Sequence, residues 1–310
     1  MKLSYCAKES DDGRKLFGVL RWELGLSASL VKRLKVPGGI RINGENAYTD
    51  YKIRPGDIAE ADLALSEPPT EAPAERGRLE VLFENEAFLV ANKPCGMITH
   101  PSRSKYTGTL QNYVLGYLMA NREAPVCHAV NRLDRDTSGA VLFSKSSHFK
   151  TLAAEALRRG DAEKEYLALV YGVPHPQKGM IDVPIARREA GQMLRIVSPE
   201  GKRAVTEYEM AGSLTLYGER ISLLRLRLHT GRTHQIRVHC AYLGVPLLGD
   251  RLYGSAGSET LSNNLGITAQ TLHAERLCFT DPFSGKSIDV TAPLNRGDMR
   301  KIMETFENSY

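Results

Sequence analysis

Two carboxylates and two arginines alternate in residues 131–139 (NRLDRDTSG), directly before a run of apolar residues. The final Thr-Ser-Gly is typical of a tight turn, so the charged side chains are expected on a loop at a sheet edge. Two interpretations follow from these residue types: exposed ion pairs of little energetic value, or an acid–base pair of a hydrolase formed by Asp134 and Asp136. Side chains two residues apart on an extended loop point in opposite directions, which makes the second interpretation awkward.

A second charged segment, residues 230–239 (TGRTHQIRVH), follows a long strand-like stretch. Its glycine can end the strand, and Thr233 can cap a helix. On that helix His234 and Arg237 lie within one turn and face the same side. An arginine near a helix start is opposed by the helix dipole, so a fixed anionic partner would offset the cost. Asp134 is one candidate for that partner.

Other motifs that carry chemistry are absent or out of context. His229, His234 and His239 fall at intervals of five, which scatters them around a helix instead of forming a metal site. Residues 285–287 (GKS) lack the first glycine of a phosphate-binding loop and precede a strand-like stretch. No Gly-x-Gly-x-x-Gly fingerprint opens a strand–helix unit. We therefore expect no metal and no nucleotide, nicotinamide or flavin cofactor.

The elements that must position these residues mix strands with helices from residue 79 onward. Helical spacing of apolar residues predicts helices over 110–118 and 151–158, and strand-like runs cover 140–143 and 166–171. Residues 221–228 alternate apolar and polar side chains, which predicts a half-buried antiparallel strand. The pattern indicates an α+β class, with a mixed, mostly antiparallel sheet and flanking helices.

Residues 1–66 are expected to form a separate small unit of two helices and a hairpin. Ser27 can cap the second helix, a Pro-Gly-Gly run ends it, and Asn43-Gly44 is a strong hairpin signal. The second helix and the residues just beyond it carry a basic cluster: Lys32, Arg33, Lys35 and Arg41. Taken by itself, a cluster this small is typical of a solvated helix face.

A proline-rich stretch, residues 67–78, separates this unit from the rest of the chain. Its composition resists helix and strand and predicts a stiff, extended linker. The predicted domains are therefore 1–66 and 79–310.

Length and composition limit the class of protein further. A chain of 310 residues with 42% hydrophobic and 25% charged residues is typical of a globular protein of about two domains. The net charge of +5 permits a polyanionic partner but does not require one. Five scattered cysteines indicate neither a zinc site nor a disulfide framework. No secretory or membrane-spanning pattern is found, so we expect a cytoplasmic protein.

Residues 79–294 resemble the RluA family of RNA pseudouridine synthases. The family's aspartate motif is similar to residues 132–139, its tyrosine motif to 164–166 (KEY), and its basic motif to 231–239. Further matches are residues 92–94 (NKP), 244–246 (GVP), 249–250 (GD) and 273–277 (HAERL). The resemblance implies the pseudouridine synthase fold and an isomerase that converts specific uridines of RNA to pseudouridine, without a cofactor and as a monomer.

The resemblance also implies roles for individual residues. Asp134 is the essential carboxylate, which attacks or stabilises either the ribose C1′ or the uracil C6, and Arg237 is its partner. Tyr166 stacks on the target base and handles a proton. Arg132 occupies the gap left by the flipped uridine. Arg232 and His234 contact phosphate or support the catalytic residues. Asn131 stands where the family usually has histidine; both side chains can donate and accept hydrogen bonds.

The unit at 1–66 resembles an S4 domain, a small RNA-binding module, through residues 24–29, 39–44 and 53–57. The resemblance implies that Lys32, Arg33, Lys35 and Arg41 face RNA, with ribosomal RNA favoured over transfer RNA. The alternative is a non-catalytic S4-type RNA-binding or ribosome-assembly factor.

Overall fold

In the computed structural model, which describes residues 1–189 and 192–307, the N-terminal unit (residues 1–66) packs two helices on an antiparallel sheet. The sheet order is β1-β4-β2-β3. Ser27 caps the second helix by accepting a hydrogen bond from the backbone of Leu30, as predicted. Asn43 and Gly44 both adopt positive φ, at 53° and 84°, which the predicted two-residue hairpin turn requires. Strands β1 and β4 were not predicted. The elements are β1 (Lys2–Cys6), α1 (Leu16–Trp22), α2 (Ala28–Lys35), β2 (Ile40–Ile42), β3 (Glu45–Asn46) and β4 (Ile58–Asp62).

The large unit, from residue 79 onward, is built around one long mixed sheet. Its order is β10-β13-β14-β9-β15-β8-β6-β5, with β16 paired to β15 and β7 to β8. Within the described residues β8 and β15 form the only parallel pair, which confirms the mixed, mostly antiparallel sheet. The strands are β5 (Val81–Glu84), β6 (Phe88–Lys93), β7 (His128–Ala129), β8 (Ser138–Ser144), β9 (Glu163–Tyr171), β10 (Lys178–Asp182), β13 (Val205–Leu216), β14 (Glu219–Leu228), β15 (Leu272–Thr280) and β16 (Ser287–Thr291), and a separate hairpin joins β11 (Ile185–Arg187) to β12 (Arg195–Val197).

Helices cover both faces of this sheet. They are α3 (Leu110–Ala120), α4 (Ser147–Arg159), α5 (Gln235–Tyr242), α6 (Ala256–Asn264) and α7 (Gly297–Glu307). No helix in the described part of the chain combines the length and apolarity needed to cross a bilayer.

Alternation along β9 and β14 assigns their side chains to two different cores. Tyr166 and Leu224 face the core that contains α3 and α5, whereas Leu167 and Leu223 face the core that contains α6 and α7. The prediction that β14 is buried on one face is therefore wrong for its first half, where α6 and α7 cover the second face. Beyond Leu223 this second face of β14 carries Arg225, which is exposed, and Arg227, which is partly exposed.

The proline-rich segment 67–78 is extended, but it is bound along the large unit instead of spanning free space. The backbone of Thr70 donates to Pro125 O at 2.9 Å, and that of Glu75 donates to Asn112 O at 2.9 Å. The fully buried Asn112 side chain donates to Pro73 O at 2.7 Å. The reason is that buried polar groups of α3 require hydrogen-bond partners, and the segment supplies them.

Glu67, at the start of this segment, is inserted at the N-terminus of α4. Its Oε1 accepts hydrogen bonds from the backbone N of Ser147 at 2.8 Å and from the hydroxyls of Ser147 and Ser146 at 2.8 and 3.0 Å. His128 Nε2 lies 3.6 Å from Oε2. Burial raises the pKa of Glu67, but the nearby His128 and the hydrogen bonds from Ser147 and Ser146 outweigh it and lower the pKa to about 2.

Glu67 is therefore expected to make stability depend on pH. A carboxylate whose folded pKa is lowered from 4.5 to about 2 stabilises the fold above pH 4.5, and the contribution is lost as the pH falls toward 2. The full difference corresponds to about 3 kcal/mol. Urea unfolding of the wild type and Glu67→Gln should differ by up to that amount at pH 7 and converge near pH 2. A difference that stays constant between pH 5 and pH 2.5 would contradict this assignment.

Candidate active site

Asp134 lies on a turn that leads directly into β8. The backbone of Thr137 donates to Asp134 O at 3.2 Å, which closes the turn over residues 134–137. Ser138 and Gly139, predicted to belong to the turn, are instead the first residues of β8. Gly139 has φ of 113°, and a Cβ there would lie 2.2 Å from Ala274 O, so the parallel pairing with β15 admits glycine alone.

Buried polar side chains hold the backbone of the Asp134 turn. Lys93, which is fully buried, donates from Nζ to Arg135 O at 2.8 Å, to Met97 O at 2.7 Å and to Pro94 O at 3.0 Å. Burial lowers the pKa of Lys93 to about 8, although the charges of Cys95, Asp136 and Asp134 act to raise it. Thr99 adds a hydrogen bond from its hydroxyl to Leu133 O at 3.1 Å. These contacts fix the backbone on both sides of Asp134.

Arg237 comes to Asp134 from α5, but its main partner is Asp250. Nε and Nη2 of Arg237 bind the two carboxylate oxygens of Asp250 at 2.6 and 2.7 Å, and Nη1 lies 3.4 Å from Asp134 Oδ2. The expected Arg237–Asp134 pair is thus present as a single longer contact. A short bidentate pair is formed with Asp250 because that carboxylate is itself held by the backbone N of Leu252 and of Tyr253.

The Arg237–Asp250 pair is buried, while Asp134 is partly open. The side chains of Arg237 and Asp250 are 9% and 0% exposed, and that of Asp134 is 27% exposed. Burial lowers the pKa of Arg237, but the hydrogen bond and charge of Asp250 and the charge of Asp134 raise it overall, so the guanidinium stays charged. Asp250 therefore aims a permanent positive charge at a carboxylate that a substrate can reach.

His234 supplies a second polar group beside Asp134, with Nε2 3.8 Å from Asp134 Oδ2. The predicted cap at Thr233 is wrong: α5 begins at Gln235 and His234 is the residue before it, in the left-handed conformation with φ of 57°. The Gln235 side chain ties this corner by accepting from the Thr230 hydroxyl at 2.8 Å and from Arg232 N at 2.9 Å. A strained backbone at a non-glycine residue costs energy, and such strain concentrates at functional sites.

Tyr166, on β9, borders the same site. Its ring is 7% exposed, and its strand neighbours are Leu226 on β14 and Ala274 on β15. Burial, and secondly the charge of Asp134, raise the pKa of Tyr166 well above its ordinary value. The side chain is therefore a neutral phenol at neutral pH, able to stack and to donate a hydrogen bond.

The remaining predicted residues are exposed. Arg132 lies on the open side of the Asp134 turn, and Arg232 is anchored by a hydrogen bond from Nε to Arg203 O at 2.9 Å. Asp136 binds its neighbour Arg135 through two contacts of 2.9 Å. Asp136 is therefore engaged in a local ion pair, and among the described residues it forms no hydrogen bond with Asp134.

Asn131 connects the chain entering the turn to β8. Its Oδ1 accepts from Leu142 N at 2.7 Å, and its Nδ2 donates to Ala140 O at 3.4 Å. The side chain thus pairs with the strand like a backbone amide. This contact orients the loop and needs no titratable group.

The basic residues of the N-terminal unit form a separate surface. Lys32, Arg33 and Lys35 are exposed on α2, opposite its buried Leu30, Val31 and Leu34, and Arg41 is partly exposed on β2. The Lys35 ammonium lies 5.9 Å from the ring centre of the exposed Tyr48.

Two site residues were not predicted in any role. Asp250 stands 13 residues after Arg237, in a loop, and sequence separation conceals their contact. Tyr253, three residues further on, places its ring 5.0 Å from the Arg237 guanidinium. The signal in the sequence was the match of Gly249-Asp250 to the family. That match indicates no role for Asp250 until the structure places Arg237 beside it.

Comparison with known proteins agrees with this geometry. The model of the RNA pseudouridylate synthase family matches residues 87–242. The chain is 36% identical to the uncharacterized RNA pseudouridine synthase YhcT of Bacillus subtilis over 98% of this chain and 97% of that protein. It is 34% identical to the ribosomal large subunit pseudouridine synthase D of Vibrio cholerae, over 95% and 92% of the two chains.

A solved structure leads to the same family. Human RNA pseudouridylate synthase domain containing 4 is 25% identical, covers 71% of this chain and 93% of its own, and superposes with a TM-score of 0.54. The matched region contains the Asp134 turn, Tyr166 and Arg237. This chain therefore belongs to the RNA pseudouridine synthase family and is an isomerase that acts on RNA.

Proposed function

We propose that this enzyme isomerises uridines of ribosomal RNA to pseudouridine through Asp134. The observation that carries the proposal is the contact of Asp134 with Arg237, whose direction is set by the buried Asp250. A fixed guanidinium orients the Asp134 carboxylate, and a carboxylate can attack or stabilise an electron-poor carbon. Two relatives named ribosomal large subunit pseudouridine synthase D support ribosomal RNA as the substrate.

The other residues have supporting roles in this proposal. Tyr166, a buried neutral phenol, stacks on the target base, and a role as a base would require the phenolate that its surroundings disfavour. Arg132 is exposed and free to enter the RNA stack when the uridine flips out, which costs a few kcal/mol of lost stacking. Arg232 and His234 contact phosphate or support Asp134.

We also propose that residues 1–66 are an S4 domain, that 67–78 are its linker and that the catalytic domain extends from 79 to 310, although its last three residues lie outside the described part of the chain. Two helices on a small antiparallel sheet, with basic residues on the exposed face of α2, support RNA contact by this unit. A monomeric protein acting in the cytoplasm fits this assignment.

Release of tritium tests the proposed reaction. RNA labelled at C5 of uridine loses its label to water when the new bond forms at C5, so the wild-type enzyme should release tritium from ribosomal RNA transcripts. Transfer RNA transcripts form the second arm of the experiment. Release from neither substrate class, despite retained RNA binding, would favour the non-catalytic RNA-binding factor.

The basic surface of α2 yields a separate prediction. Neutralising Lys32, Arg33, Lys35 and Arg41 to glutamine removes phosphate contacts, so RNA affinity should fall and the slope of log K against log salt should decrease by roughly three. The matched control neutralises Arg158 and Arg159, which are also exposed in the last turn of a helix. An unchanged salt slope in the fourfold variant would exclude α2 as an RNA-binding face.

A further inference from the structure

The two nitrogens of His234 have different neighbours. Nε2 faces Asp134 Oδ2 at 3.8 Å, and Nδ1 lies 2.9 Å from the hydroxyl oxygen of Tyr253. The same oxygen accepts a hydrogen bond from the backbone N of Arg195, on β12, at 2.9 Å. Tyr253 is therefore placed between the β11–β12 hairpin and the residue beside Asp134.

The direction of these hydrogen bonds follows from the number of protons available. A backbone N–H can only donate, so the Tyr253 oxygen accepts from Arg195. Across the described residues, no other acceptor lies within hydrogen-bond distance of that hydroxyl, so donation of its single proton to His234 Nδ1 satisfies both groups. The imidazole proton is then on Nε2, the nitrogen that faces the carboxylate.

The electrostatics agree with this tautomer. An Nε2–H dipole pointing at Asp134 is attractive, whereas an Nε2 lone pair at that position would repel the carboxylate. Burial lowers the pKa of His234, with the charges of Arg237 and Arg195 acting in the same direction and those of Asp134 and Asp250 opposing. The ring is thus neutral at pH 7 and presents no positive charge to Asp134.

Tyr253 also contacts the other members of the site. Its ring lies 5.0 Å from the Arg237 guanidinium and packs edge-on against His234, with centroids 5.7 Å apart. Its backbone N donates to Asp250 Oδ1 at 3.2 Å. The ring therefore contacts both the Arg237 guanidinium and the His234 imidazole, and the hydroxyl contacts Nδ1 of that imidazole.

We propose that Tyr253 is a positioning residue that holds His234 in the Nε2–H tautomer, so that a neutral N–H faces Asp134 besides the charged Arg237. The catalytic consequence rests on the proposed role of Asp134, whereas the tautomer itself is a property of the free enzyme. Through Arg195 N–H, the position of β12 sets the orientation of the hydroxyl. Tyr253 does not touch the reacting atoms.

The test removes the hydroxyl and keeps the ring, in Tyr253→Phe of the full-length protein. Side-chain ¹⁵N spectra of the wild type should show His234 with a protonated Nε2 and a bare Nδ1, and the variant should show a mixture of tautomers or the reverse. Tritium release should fall about 10-fold in kcat with KM unchanged, because one group is misoriented and none is lost. Tyr242→Phe, on the exposed face of α5, is the matched control and should leave both readouts unchanged.

A double variant separates positioning from general damage. The amide of His234→Gln presents an N–H donor without a tautomer, so adding Tyr253→Phe to it should cost no further activity. An unchanged His234 tautomer in Tyr253→Phe, or a full additional loss in the double variant, would overturn the proposal. The ¹⁵N measurement needs no RNA, so it stands even if Asp134→Asn remains active and the proposed function fails.

Discussion

Replacing Asp134 by asparagine is expected to abolish tritium release from uridine-labelled RNA, with a loss of at least about 10³-fold in kcat. Asparagine keeps the size of the side chain but removes the charge that faces Arg237 Nη1 at 3.4 Å. Asp134 is partly exposed and its carboxylate accepts no backbone hydrogen bond in the described structure, so folding should be nearly unaffected. The measurement is single-turnover release, accompanied by an RNA-binding titration.

Asp136→Asn provides the matched control, since it removes a carboxylate two residues away in the same turn. Asp136 is paired with the exposed Arg135, so its loss should leave release within about 10-fold of the wild type, as expected for an exposed ion pair. Equal losses in the two variants would instead contradict a role specific to Asp134. Normal release by Asp134→Asn would refute the proposed role of Asp134.

Replacing Asp250 by asparagine is expected to lower kcat by about 10²-fold and to destabilise the fold by about 3 kcal/mol. The guanidinium of Arg237 is 9% exposed and loses its bidentate anionic partner, so a buried charge is left with weaker compensation. Without the hydrogen bonds at 2.6 and 2.7 Å, Nη1 is no longer aimed at Asp134. Tritium release and urea unfolding measure the two effects separately.

Asp298→Asn distinguishes misorientation of Arg237 from a loss of stability. Asp298 also binds a buried arginine, Arg296, through contacts of 2.6 and 2.7 Å, but at the start of α7 and, within the described residues, without a hydrogen bond or ion pair to Arg237 or Asp134. This variant should be destabilised while its kcat, measured below the unfolding transition, stays normal. If Asp250→Asn behaved in the same way, Asp250 would stabilise the fold without directing Arg237.

Local patterns predicted the elements where one physical signal dominated. Ser27 as a cap and Asn43-Gly44 as a turn were confirmed because these residue types satisfy backbone groups within a few positions. The Thr233 cap was wrong because Gln235, anchored to Thr230 and to Val205 O, forces the corner one residue further. Competition between local and tertiary hydrogen bonds was not visible in the sequence.

The sequence by itself determined the family, the mixed sheet and the residues that converge on the site: Asp134, Tyr166, Arg237 and His234. Those residues have chemically distinctive types in ordered motifs, and strand alternation places Tyr166 on the same face as α5. The tertiary structure decided which of them bind one another. Arg237 has two acidic neighbours, and the one that receives its short bidentate contact is Asp250, because two backbone N–H groups already hold that carboxylate while Asp134 stays open to substrate.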